Sequence, residues 1–161
     1  MKKSIRVFSI LMLAIAPELV LAGPGGTTCA TAEVMVGNTY SGDTSAAGYG
    51  NPVGGFGPLP SPSNDAIYTF TANNTTGPLT VTAAGYNYGV FLTTNCTGTT
   101  APPIQAATGP AVGGSFPLDG LTNGTQYFVI MSGNPSDSSA PNGSYTFITT
   151  FPVELQSFSI D

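Results

Sequence analysis

The chain has 161 residues, and its 21 Gly and 14 Pro stand against a charged fraction of only 7%, so backbone punctuation has replaced surface charge. His and Trp are absent, and the basic residues, Lys2, Lys3 and Arg6, all precede Val7. With no cationic side chain from Val7 onward, the chain has no phosphate clamp, no electrostatic footprint for nucleic acid, no Schiff-base lysine, and no imidazole for a nucleophilic couple or a zinc site.

The head of the chain reads as a secretory signal peptide over residues 1–22. The three basic residues precede an apolar run from Val7 to Ala16, and Val20-Leu21-Ala22 supplies the small or apolar positions that a signal peptidase reads. A membrane anchor is disfavoured because the run falls well short of the roughly 20 residues a bilayer needs and Pro17-Glu18 interrupts it. The expected product starts near Gly23 and has no membrane span. Its acids are Glu33, Asp43, Asp65, Asp119, Asp137, Glu154 and Asp161, with no base to balance them. Such a surface repels polyanions and anionic lipid.

Beyond the signal, short alternating segments rich in β-branched and aromatic residues recur between Gly, Pro and Asn clusters, which predicts an all-β fold. A first strand is expected over Ala32–Tyr40. A long Gly/Pro-rich loop follows from Ser41 to Asn64, either flexible or folded back through Tyr49, Phe56 and Leu59. Ala66–Thr71 alternates Tyr68 and Phe70 with Thr69 and Thr71, and Leu79–Ala83 repeats the period. The two read as antiparallel neighbours with one wet, Thr-rich face. Gly89–Thr94 is a further strand, whereas residues 99–114 are poorly patterned and Pro-rich.

Ser115–Leu121 precedes the Asn123-Gly124 turn signal, and Gln126–Ser132, the most apolar segment, is expected to be a central strand. Ser144–Thr150 alternates again. In the tail, residues 151–161, Val153 and Leu155 share one parity while Phe158 and Ile160 take the other. Either a bulge flips the strand midway or its halves meet different partners.

Two cysteines in an exported chain most economically form one disulfide, Cys29 to Cys96. Closing so long a loop contributes roughly 4 kcal/mol on the chain-entropy estimate. A pair of free thiols acting as ligands or redox groups lacks suitable spacing and partners.

Taken in order, several segments resemble the bacterial pre-peptidase C-terminal domain family. They are Cys29-Ala30-Thr31-Ala32, Tyr40-Ser41-Gly42-Asp43-Thr44, Asp65-Ala66-Ile67-Tyr68-Thr69-Phe70, Val90-Phe91-Leu92 leading into Cys96-x-Gly98, Leu121 to Ile130, and Gly143-Ser144-Tyr145-Thr146-Phe147. The resemblance spans about Thr28 to Thr149. It implies an antiparallel, jelly-roll-like β-sandwich of about 8–9 strands over residues 23–150. It also implies a noncatalytic accessory role beside secreted proteases or on cell surfaces, in some relatives with binding of calcium, polysaccharide or collagen-like polymers. Where many relatives carry acids after the second Cys, this chain has Thr-Thr-Ala-Pro-Pro. The segment Phe151–Phe158 is similar to stretches near the C-termini of exported bacterial surface proteins.

Three groups of side chains are candidate sites. Calcium needs only oxygen ligands, and Glu33, Asp43 and Asp65 flank the first two expected strands, where calcium-binding relatives place ligands; Asn134, Asp137 and Asn142 form a looser second group. Turn capping by these Asx side chains is the competing account, since no Asp-x-Asp-x-Asp spacing is present. Tyr49, Tyr86 and Tyr88 lie in Gly- and Asn-rich contexts where a ring face stacks on sugar, or packs at a sandwich edge. Paired carboxylates are the one catalytic route left open, but none of the acids sits in a recognisable motif. The expected function is a secreted, noncatalytic binding or surface-associated module for an extracellular polymer or surface component. The alternative is a structural subunit that forms fibres by adding its C-terminal strand to a neighbour.

Overall fold

A computed structural model describes residues 24–53, 63–73, 77–97, 104–109, 115–118, 120–133 and 142–150. The expected signal peptide, the tail, Phe56, Leu59, Asn134 and Asp137 lie outside these residues. Among the described residues, a one-turn 3-10 helix, Cys29–Thr31, precedes nine strands: β1 Glu33–Val34, β2 Thr39–Asp43, β3 Ala66–Thr71, β4 Leu79–Ala84, β5 Tyr88–Thr93, β6 Gln105–Gly109, β7 Ser115–Phe116, β8 Gln126–Gly133 and β9 Ser144–Thr149. They form a five-stranded sheet in the order β1-β3-β8-β5-β6 and a four-stranded sheet in the order β2-β9-β4-β7. No helix among the described residues is long and apolar enough to cross a membrane.

The two sheets pack face to face through aromatic side chains. Tyr40 and Phe147 from the four-stranded sheet stack at 5.0 Å, and Tyr68 from the opposite sheet meets both edge-on, at 5.4 and 5.1 Å. Such offset and edge-on pairs each contribute about 0.5–1.5 kcal/mol beyond the area they bury. Leu79, Val81, Val90, Leu92, Val129 and Met131 complete the interior. Strand β8 lies at the centre of its sheet, between β3 and β5, as the run Tyr127-Phe128-Val129-Ile130-Met131 requires.

Four features depart from the sequence expectation. The single strand expected over Ala32–Tyr40 is two strands in opposite sheets. The chain crosses between them at Gly37-Asn38, where the Tyr40 hydroxyl accepts from the Gly37 N–H (2.7 Å) and donates to the Gly37 carbonyl (2.8 Å). The pairing is also not wholly antiparallel, because β1 runs parallel to β3 with Glu33 opposite Tyr68. Residues 105–109 form an edge strand that their Ala- and Gly-rich pattern concealed.

The fourth departure concerns β3 and β4, which are not neighbours: β3 pairs with β1 and β8, and β4 with β9 and β7. The outer face of β3 is not wet either. Ile67, Phe91 and Ile130 form a second buried cluster there with Val53 and Cys96, and Thr69 is only 7% exposed. The five-stranded sheet is therefore covered on both faces near its centre. The wet face lies on the four-stranded sheet, where Tyr40, Leu79, Val81, Tyr145 and Phe147 point inward while Ser41, Thr80, Thr82, Thr146 and Ile148 alternate outward. One extra residue in β4 makes a bulge between Val81 and Ala83.

Candidate functional site

The disulfide pairs Cys29 with Cys96 across 67 residues, with the Cα atoms 5.7 Å apart. Cys96 sits in the outer cluster of the five-stranded sheet with Ile67, Phe91 and Ile130, and Cys29 packs against it. The bond fastens the 3-10 turn and the turn after β5 over that apolar surface.

Asp65, one residue before β3, is the buried acid among the described residues, 1% exposed. Its Oδ1 accepts from the Ser132 hydroxyl at 2.6 Å, and its Oδ2 accepts from the Val53 N–H at 3.1 Å. Ser132 lies 3.0 Å from the Ser63 hydroxyl, which also accepts from the Gly133 N–H. The Asp65 N–H donates to the Gly50 carbonyl at 2.7 Å. Both ends of the Gly50–Val53 stretch are thus held by one residue. Burial pushes the Asp65 carboxyl up to about 6, and the bonds from Ser132 and Val53 only partly oppose it. Ser63 and Ser132 carried no sequence signal beyond a lone polar residue at the end of the most apolar strand.

The other two proposed calcium ligands occupy separate settings. Glu33 accepts through Oε2 from the Gly25 N–H at 2.8 Å. Asp43, at the end of β2, caps its own turn by accepting from the Ser45 N–H at 2.8 Å and from the Ser45 hydroxyl. Those bonds favour its charged form and lower its pKa. Asn142 accepts through Oδ1 from the Asn64 N–H at 2.7 Å. Among the described residues, no three His, Cys, Asp or Glu side chains converge as a metal site. Glu33, Asp43 and Asp65 each accept hydrogen bonds from this chain, and the three do not converge on one point.

The tyrosines proposed to stack on sugar are placed differently from that expectation. Tyr86 and Tyr88 are 7% and 4% exposed, and both belong to the intersheet core. Tyr88 opens strand β5, and both side chains are covered by the sandwich interior. The Tyr86 hydroxyl lies beside the Thr44 side chain without completing a well-formed hydrogen bond, and burial pushes its pKa up. Tyr49 folds back as the loop reading allowed, half-buried against the core, and donates to the Pro24 carbonyl at 2.6 Å.

Pro24 is a shared acceptor. Tyr145 also donates to its carbonyl, at 2.7 Å, and the Tyr68 hydroxyl donates to Tyr145, again at 2.7 Å. Burial raises the pKa of both Tyr68 and Tyr145. Two residues further on, Gly26 exchanges backbone hydrogen bonds with Ile67 at 2.8 and 2.9 Å. The N-terminal segment and β1 together cover the free edge of β3.

The remaining surface feature is the outer face of the four-stranded sheet. One row across it reads Thr39, Ile148, Thr80 and Ser115; the next includes Ser41 and Thr146, whose hydroxyls lie 2.9 Å apart. Adjacent strands in such a row are about 4.8 Å apart, so the hydroxyls of Thr80 and Ser115 lie on neighbouring strands while Ile148 separates Thr80 from Thr39. An open hollow of about 270 Å³ at one end of this face is lined by Ala84, Gly85, Ser144, Tyr145 and Thr146. No family model, curated protein or solved structure matches the chain.

Proposed function

We propose that the chain is an exported, noncatalytic β-sandwich module of the pre-peptidase C-terminal type that binds an uncharged extracellular polymer. The strand order carries this reading. The antiparallel pairs β2/β9, β3/β8, β4/β7 and β5/β6 are those of one long hairpin, rolled so that β9 meets β4 and β8 meets β5. That is jelly-roll order, the architecture the family resemblance implies. The disulfide supports export to an oxidising compartment. A noncatalytic role is supported by Asp65, whose two carboxylate oxygens are engaged inside the protein.

The outer face of the four-stranded sheet, with Thr39, Ser41, Thr80, Ser115 and Thr146 and no charged side chain among them, supports a neutral, hydroxyl-bearing polysaccharide as the ligand. The same row exposes one apolar side chain, Ile148, at 43%. Pull-down on insoluble neutral polysaccharides tests the reading. Thr80→Glu combined with Ile148→Glu should abolish retention while leaving the melting temperature nearly unchanged. Retention of this variant equal to that of the parent would remove the face from consideration.

The fibre reading keeps one specific support. Val34 and Val36, at the edge of the five-stranded sheet, are 60% and 69% exposed, a place where another chain's strand would add. Removing residues 151–161 should leave light scattering unchanged for a monomeric module and abolish assembly for a fibre subunit.

A further inference from the structure

We infer that leader removal must precede docking of the N-terminal segment, because the fold takes up the chain one residue beyond the expected cleavage point. The inference rests on the export reading above, in which the Ala22–Gly23 bond is hydrolysed. Water adds its hydroxyl to the Ala22 carbonyl carbon and a proton to the Gly23 nitrogen, releasing leader and mature chain.

A peptidase takes the scissile bond and its flanking residues into a cleft as extended chain, and nicking concentrates where the backbone is free to enter. Pro24, Gly25 and Gly26 are held from four directions. The Pro24 carbonyl accepts from Tyr49 and Tyr145, the Gly25 N–H donates to Glu33, and Gly26 pairs with Ile67. Gly23 alone separates this stretch from the scissile bond, and one residue spans at most about 3.6 Å.

The docked geometry also tolerates no side chain. Gly25 has φ +84°, and a Cβ there would lie 2.9 Å from the Tyr68 ring. At Gly26 a Cβ would lie 2.0 Å from the Thr31 carbonyl oxygen. Pro24-Gly25-Gly26 is thus a specific fit to the sandwich rather than a spacer. Once it is seated, cleavage depends on the fraction of molecules in which it has opened.

The test uses the full precursor, oxidised and refolded, and incubated with a purified signal peptidase in detergent beside the same precursor unfolded in urea that the enzyme survives. The expected result is cleavage after Ala22 in the unfolded sample and a rate at least about tenfold lower in the folded one. Gly25→Ala should restore cleavage of the folded precursor. Should that variant fail to fold, Tyr49→Phe, which removes one bond to Pro24, should raise the folded rate measurably while near-ultraviolet circular dichroism is retained. Equal rates for folded and unfolded precursor would overturn the inference. Cleavage of neither sample at Ala22 would instead overturn the export reading beneath it.

Discussion

Replacing Asp65 with Asn should change how stability depends on pH, with a sign opposite to that of an exposed acid. The folded carboxyl sits at about 6 against an ordinary 3.8, so the folded state binds its proton more tightly than the unfolded state does. A carboxyl shifted upward in this way gives most stability below its unfolded pKa, and loses it as pH rises through the window from 3.8 to about 6. The full difference is about 3 kcal/mol, of which about 1.4 kcal/mol falls between pH 7 and pH 5.

No Lys, Arg or His follows Arg6, so no cationic side chain in the sandwich is available to cancel the effect. Asp43, whose pKa is lowered, loses its stabilising contribution only as pH falls below that window. Thermal melts at constant ionic strength should show the parent gaining about 5 °C from pH 7 to pH 5. Asp65→Asn, which keeps an acceptor for Ser132 or Val53, should melt higher than the parent at pH 7 and show little slope. A parent curve that is flat or falls on acidification, with the variant running parallel to it, would refute the reasoning.

Reduction of the Cys29–Cys96 bond, or Cys29→Ser with Cys96→Ser, should lower stability by roughly 4 kcal/mol at most, read from urea unfolding, because the bond closes a loop of 67 residues. Tyr145→Phe removes a donor to Pro24 and the acceptor for a buried Tyr68 hydroxyl, and should cost about 1–3 kcal/mol by the same measurement. Phe91→Ala, on the outer face of the five-stranded sheet, should cost about 3–5 kcal/mol, a core-sized loss that an exposed sheet face would not show. Asp43→Asn should leave the urea midpoint at pH 7 close to that of the parent, since its bonds cap an exposed turn.

Much of the fold was legible because period and punctuation are local. Ala66–Thr71 matches the expected strand at both ends, and β4, β5 and β9 differ from expectation by no more than a residue at either end. Partners were harder to read. Ala32–Tyr40 reads as one strand because a sheet-to-sheet crossing at Gly37-Asn38 breaks the alternation only briefly, and the bonds that fix it come from the Tyr40 hydroxyl. Strands β3 and β4 look like a hairpin because they are close in sequence and share a Thr-rich pattern. Only the competition for burial sends them to different sheets, since β3 carries Ile67 on its second face and needs cover there.

The site residues divide in the same way. Asp65 could be picked out as an acid beside a strand, but Ser63 and Ser132 come from distant parts of the chain, and only their meeting explains its raised pKa. Tyr86 and Tyr88 sit among Gly and Asn, where the sequence favours core packing over ring stacking on a sugar without deciding between them; both lie in the intersheet core.

By itself the sequence determined which side-chain chemistry the chain lacks and the class of fold: after Arg6 it has no Lys, Arg or His, and its short alternating segments fold as β-structure. It also identified the cysteine pair, since two cysteines leave one intramolecular choice. The tertiary structure decided which strands share a sheet, which face of the four-stranded sheet is wet, and why Gly25 and Gly26 must be free of side-chain bulk. Those outcomes depend on contacts between residues far apart in the chain, and local periodicity does not encode such contacts.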